Sequence, residues 1–221
     1  MSDRPRRKSR LVVLISGGGS NLQALINSCH QGKINADIVG VISNVAGVKG
    51  LQRATDANIT ATVVNHLDFQ NRQEFDQQLA AEINLFNPDL VVLAGFMRIL
   101  TPEFVDQFMG RMINIHPSLL PKYTGLNTHQ RAIDAGDEIA GATVHFVTPE
   151  LDGGPPILQG QVDISDQDTS VSLASKVLKI EHKIFPLAIS WFCEHRLELV
   201  SHKVMFDGKA LNESDLLYSD N

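Results

Sequence analysis

Cysteine is scarce. Cys29 and Cys193 are the only two in 221 residues, and they form no CxxC pair. This excludes a disulfide framework and a cysteine-rich zinc site, and it fits a reducing compartment. Long apolar runs are missing as well: the best, at 11–15 and 90–94, have the length of a buried strand and fall far short of the roughly 18 residues that suggest a membrane span. Positive charge is in deficit, with 19 Lys+Arg against 25 Asp+Glu for a net −6, and no long basic stripe offers a face to nucleic acid. What is present, 43% hydrophobic and 20% charged residues, is the composition of an ordinary folded protein. These absences leave a soluble, cytoplasmic enzyme as the reading, with neither membrane nor nucleic acid as partner.

The first ten residues stand apart, because Arg4, Arg6, Arg7, Lys8 and Arg10 place five of the positive charges there. The apolar stretch that follows is too short for the core of a signal peptide, so residues 1–10 read as a solvated, frayed basic tail. Beyond them, short apolar runs alternate with amphipathic segments. Strands are expected at 11–15, 37–43, 61–64, 90–94 and 111–115. Helices are expected at 21–30 (capped by Ser20 or Asn21), at 50–57, at 69–86 and in a short piece opened by Pro102. Runs without alternation mark strands buried on both faces. The pattern predicts βαβ units and therefore an α/β, Rossmann-like, doubly wound, mostly parallel sheet. Segments 142–147 and 156–164 read as strands joined by a Gly-Gly turn, which adds one antiparallel strand near the C-terminal part. A long helix at 170–192, interrupted at Pro186, and a hairpin at 197–206 follow. Residues 11–210 read as a single domain and 211–221 as a polar tail.

Three places can carry chemistry. Ser16-Gly17-Gly18-Gly19-Ser20-Asn21 lies between a buried strand and a helix start, where glycines admit a ligand to the backbone and free helix N–H groups favour an anion such as phosphate. It matches neither GxGxxG nor a Walker loop, and a plain β–α turn would look the same. Asn114 and His116 alternate onto one face at the end of a strand, where open α/β sheets bind ligands. An amide N–H₂ beside an imidazole suits an oxyanion and a moving proton, although the two could instead satisfy each other. Asp152, in Leu151-Asp152-Gly153-Gly154, is either a turn former or a charge set beside His116. The remaining histidines, His30, His66, His129, His145, His182, His195 and His202, show no metal-ligand spacing and read as surface or packing residues. No nucleophile elbow is present.

Taken together, VVLISGGGSNLQALI (12–26), DLVVLAGFMRIL (89–100), MINIHPSLLPKYTGLNTH (112–129), GATVHFVTPELDGGPPILQ (141–159) and IEHKIFPLAISWF (180–192) closely resemble the glycinamide ribonucleotide formyltransferases, folate-dependent enzymes of purine biosynthesis. The resemblance implies transfer of a formyl group from 10-formyltetrahydrofolate, as co-substrate, to the amine of glycinamide ribonucleotide, with no metal. It implies Asn114, His116 and Asp152 as the catalytic trio. Gly19, Ser20, Asn21, Leu22 and Glu181 would hold the ribonucleotide. The folate would lie against Met97, Arg98, Ile99, Leu100, Asn114, Val147, Thr148, Pro149, Glu150 and Leu151, with Arg72 near its glutamate tail. Asn127 stands where some relatives carry histidine. The partners implied are these two small molecules, with the chain a monomer or weak homodimer. The alternatives are a 10-formyltetrahydrofolate hydrolase and a non-catalytic nucleotide-binding module.

Overall fold

The computed structural model describes residues 7–218. Its centre is β1 (Ser9–Ile15), in which Leu11, Val13 and Ile15 point to one layer of core and Val12 and Leu14 to the other, all of them buried. That two-sided burial is why the segment is apolar at every position. α1 (Ser20–His30), β2 (Ala36–Ser43), α2 (Lys49–Asp56) and β3 (Ala61–Val63) carry the chain outward on one side. It then returns through α3 (Arg72–Leu85) to β4 (Leu90–Leu93), which pairs with the free edge of β1. α4 (Pro102–Gln107), β5 (Met112–His116), α5 (Thr128–Asp134), β6 (Ile139–Phe146), β7 (Pro156–Asp163) and α6 (Ser170–Cys193) complete the main body.

The seven-stranded sheet has the order β3-β2-β1-β4-β5-β6-β7. Strands β1 to β5 are parallel, and β6 is antiparallel to both neighbours. One reversed strand therefore gives two antiparallel pairs, where a single hairpin pair was expected. The winding turns back between β1 and β4, and ligands of open α/β sheets settle outside the strand ends at such a switch point. The ends of β1, β4 and β5 lie there together. β8 (Leu197–Val200) and β9 (Lys203–Phe206) form the expected hairpin, and β10 (Lys209–Ala210) extends it into a small second sheet. Among the described residues no helix is long and apolar enough to cross a membrane.

Several local expectations change. Neither Ser20 nor Asn21 caps α1: the cap is Gly19, at φ 68°, with no side-chain bond. A side chain there would press on the Gly50 backbone, 2.7 Å from its Cβ, so close approach and left-handed φ both require glycine. α3 begins at Arg72 rather than 69, because the Asn71 side chain accepts the Glu74 N–H at 2.9 Å. α6 runs unbroken through Pro186. Phe185, Pro186, Ala188 and Ile189 are all buried there, and tertiary packing outweighs the roughly 3 kcal/mol cost of an interior proline. α5 was not anticipated, being a short helix inside a polar stretch.

The two tails also differ from expectation within the described residues. Arg7 makes a two-pronged bond to Asp89, Lys8 bonds Asp37, and Ser9 and Arg10 belong to β1. Residues 1–6 lie outside the described residues. At the other end, Gln159 N–H donates to the Leu216 carbonyl at 2.6 Å and Tyr218 N–H to the Gln159 carbonyl at 2.8 Å, so this stretch lies along the outer edge of β7. Residues 219–221 lie outside the described residues.

Phe185 is fully buried in the layer that joins α6 to the sheet. Phe185→Ala is expected to cost about 3–5 kcal/mol, read as a lower urea midpoint with an unchanged slope.

Candidate active site

The glycine loop follows β1 directly. The amides of Ser20, Asn21 and Leu22 open α1 ahead of its first bond, Gln23 N–H to the Gly19 carbonyl at 2.9 Å, and as the first donors of a helix N-terminus they have no backbone partner among the described residues. The side chain of Leu22 is buried, which leaves its backbone as the part that can meet a ligand. Arg53, on α2, was not singled out from the sequence. Its Nε donates to the Gly18 carbonyl at 2.8 Å and a terminal nitrogen to Gln23 Oε1 at 3.0 Å, which sets a cation beside the loop. An arginine on an exposed-looking helix gave no signal of this.

Asn21 turns away from the loop and donates through Nδ2 to Glu181 Oε2 at 2.6 Å. Its own Oδ1 is buried and has no partner among the described residues. Glu181 is 7% exposed. Burial pushes its carboxyl above the usual carboxylate range, and the Asn21 bond only partly opposes this.

After β4, residues 94–101 have no regular structure, and the segment forms one wall of a narrow cleft of about 90 Å³. Arg98, Ile99 and Leu100 line it, facing Val147, Thr148, Pro149, Glu150 and Leu151, with Asn114, His145 and Asp152 at its floor. Two expected residues stand outside this lining: Met97 is 68% exposed, and Arg72 is exposed on the first turn of α3. A larger cavity of about 560 Å³ lies between Leu119, Tyr123, α5 and the start of β6. Among the described residues no group of three His, Cys, Asp or Glu side chains gathers to hold a metal ion.

Asn114 and His116 are both on β5, two residues apart and on one face, as alternation requires. They do not bond each other. Asn114 Nδ2 lies 3.1 Å from His145 Nε2. His145 Nδ1 lies 2.9 Å from the Phe146 carbonyl, so that nitrogen carries the hydrogen and Nε2 is left as an acceptor. Burial holds His145 below the usual histidine range, in keeping with a neutral ring that accepts. His145 thus orients the Asn114 amide and leaves its second N–H free. Strand alternation would have placed His145 across from Asn114 only once the β5–β6 register, Asn114 against His145, was known.

His116 is buried, and its ring nitrogens face two acceptors: the Tyr123 carbonyl at 2.9 Å from Nε2, and Asp152 Oδ2 at 3.5 Å from Nδ1. The first is a hydrogen bond and the second a longer charge approach. Asp152 sits at φ 52° in the tight turn after β6, and its Oδ2 also accepts the Gly125 N–H at 2.8 Å. The separation of 36 positions in sequence is closed by folding this turn back over the sheet. Asp152 therefore meets His116, and Asn114 and Asp152 line the same cleft, so an amide donor, a buried imidazole and a carboxylate come together as expected. Such a set can stabilise an oxyanion and move a proton.

A sequence model described as formyl transferase matches residues 9–189. The chain is 49% identical over 201 residues to a phosphoribosylglycinamide formyltransferase of Escherichia coli (strain K12), covering 91% of this chain and 95% of that one. It is 48% identical over 205 residues to the enzyme of that name from Haemophilus influenzae, covering 93% and 97%. A solved phosphoribosylglycinamide formyltransferase from Coxiella burnetii superposes with a TM-score of 0.92 at 47% identity, covering 96% of this chain and all of that one.

Glu181 generates a pH-dependent expectation. A carboxyl raised by burial penalises the folded state once it ionises, so its stability contribution is full at acid pH and is lost as pH rises through the raised value. Glu181→Gln removes that penalty, and the new amide can donate to the orphaned Asn21 Oδ1. The ligand-free variant is expected to melt a few degrees higher than wild type at pH 7, with the gain gone near pH 3. Thermal melts across that range check it.

Proposed function

The chain belongs to the formyl transferase family, and from that premise we propose that it transfers the formyl group of 10-formyltetrahydrofolate to the amine of glycinamide ribonucleotide, giving formylglycinamide ribonucleotide and tetrahydrofolate in de novo purine biosynthesis. The observation that carries this reading is that His116 meets Asp152 while Asn114 and Asp152 line one cleft with Ile99, Leu100 and Val147.

The ribonucleotide phosphate takes the amides of Ser20, Asn21 and Leu22, with the Arg53 charge close by and Gly19 giving access to the backbone. Glu181, a buried carboxylate with an oxygen to spare, accepts from ribose hydroxyls. The pterin enters between Ile99 and Leu100 on one side and Val147 on the other, and the exposed Arg72 and Met97 border its longer tail. Thr148, Pro149, Glu150 and Leu151 close the opposite wall, and Arg98 belongs to the near one. Apolar walls with a few backbone polar groups suit a flat ring that needs hydrogen bonds only at its edge.

In the reaction the neutral amine attacks the formyl carbon and the carbonyl electron pair moves onto oxygen. The free N–H of Asn114 donates to that oxygen. His116 adds a second donor when its Nε2–H leaves the Tyr123 carbonyl, and Asp152 balances the charge of the ring. The tetrahedral species collapses by breaking the bond to the folate nitrogen, which keeps the bonding pair and takes up the proton lost by the attacking amine. The trio and water carry that proton between the two nitrogens.

Incubation with 10-formyltetrahydrofolate, with and without glycinamide ribonucleotide, tests the reading. Formyl transfer that requires the amine supports it, whereas release of formate without the amine, or no turnover, defeats it. Asn114→Ala is expected to lower kcat by about 10²–10³, the usual cost of one oxyanion donor, and a loss under about fivefold would assign Asn114 to structure alone. Ile99→Asp, at a half-exposed position that tolerates the change in the fold, is expected to raise the KM for the folate at least about tenfold while leaving that for the ribonucleotide near wild type.

A further inference from the structure

The segment that walls the folate cleft has no regular hydrogen bonding of its own between β4 and α4, so its position has to be imposed from outside. The Ser16 N–H holds its start through the Gly95 carbonyl at 3.1 Å, and two side chains hold the rest. Met97 N–H donates to Ser16 Oγ at 2.7 Å, and Thr101 N–H donates to Asp76 Oδ2 at 2.6 Å. Ser16 in turn donates its proton to Asn44 Oδ1 at 2.5 Å, at the root of the glycine loop. Asp76 comes from the buried face of α3, among Phe75, Leu79 and Ala80.

Asp76 sits in an unusual place for a carboxylate. It is 3% exposed, and its Oδ1 has no partner among the described residues. Buried polar atoms are normally satisfied, and an apolar side chain of similar volume would fill such a site at less cost. Arg72 and Arg98 act on it only as nearby charges, and neither makes a direct ion pair with it among the described residues. Its hydrogen bonding goes to Thr101, the residue that caps α4, first to the backbone N–H and then to the side chain. One residue earlier on the same helix, the Phe75 ring lies under the Arg98 guanidinium at 5.3 Å. α3 thus grips the segment on either side of Ile99 and Leu100.

We propose that Asp76 is a positioning residue for folate recognition: by holding the Thr101 N–H it fixes where Ile99 and Leu100 stand opposite Val147, without touching the folate. This rests on the assignment of the cleft to the folate in the preceding subsection.

Asp76→Ala removes the acceptor, and Asp76→Asn keeps one of the same shape. In Asp76→Ala the Thr101 amide is expected to exchange with solvent about tenfold faster or more, and the KM for 10-formyltetrahydrofolate to rise about tenfold, in line with the loss of a charge-assisted bond. The KM for glycinamide ribonucleotide should stay within about twofold, and Asp76→Asn should bring exchange and folate KM back to within about threefold of wild type. Unchanged Thr101 exchange, equal rises in both KM values, or no rescue by asparagine would each overturn the proposal. So would faster exchange with an unchanged folate KM. Ile99→Asp then separates the causes: if it raises the folate KM, the positioning role alone has failed, and if it does not, the cleft assignment has failed with it. Should Asp76→Ala not fold, Thr101→Pro removes the donor from the other side at a φ of −72° that proline adopts, and Thr101→Ala, which loses the α4 cap but keeps the donor, is the control expected to leave the folate KM within about threefold of wild type. The same selective rise in folate KM is expected in Thr101→Pro, and its absence overturns the proposal.

Discussion

The arrangement of the candidate site depends on β1 being buried on both faces and paired on both edges. With β2 on one side and β4 on the other, the chain must leave it in one direction and return in the other. That reversal opens a gap at the strand ends, and three loops meet in it: the glycine loop after β1, the irregular segment after β4, and the end of β5 with Asn114 and His116. The apolar run 11–15 is thus a statement about where the site lies as well as about the core.

The parts of the fold read most directly from the sequence are those whose burial leaves a periodic trace. Phe75, Leu79 and Ile83 repeat at helical spacing and are all buried in α3, and the unalternating strands fall where they were expected. Start and stop positions read less well, because single side chains decide them: the Asn71 cap trims the front of α3, and glycine takes the cap of α1. The antiparallel pairing of β6 with β7 was signalled by the Gly-Gly turn between them, and that of β6 with β5 was not. The uninterrupted course of α6 was not, since a proline looks the same whether or not the surrounding packing overrules it.

Within the site, the residues that a sequence shows are those with a motif, and the residues it hides are those that act through a neighbour. Asn114, His116 and the glycine loop announce themselves by local spacing. His145 looks like any strand histidine until the register sets it against Asn114. Arg53 looks like a surface arginine until α2 is laid beside the loop. Asp76 looks like a polar position on a helix until it proves to be buried. Two of these supporting groups, the Asp76 carboxylate and the His145 ring, are desolvated, and burying such groups costs the fold stability.

The contact between Gly19 and Gly50 has a mechanical consequence. Because Gly19 and Gly50 approach too closely to admit a side chain between them, the opening of the glycine loop is tied to the spacing of α1 and α2. Widening it would require the helices to part, and Arg53 would withdraw with α2. The width of this turn and the place of its cation are therefore coupled, because both are set by where α2 stands.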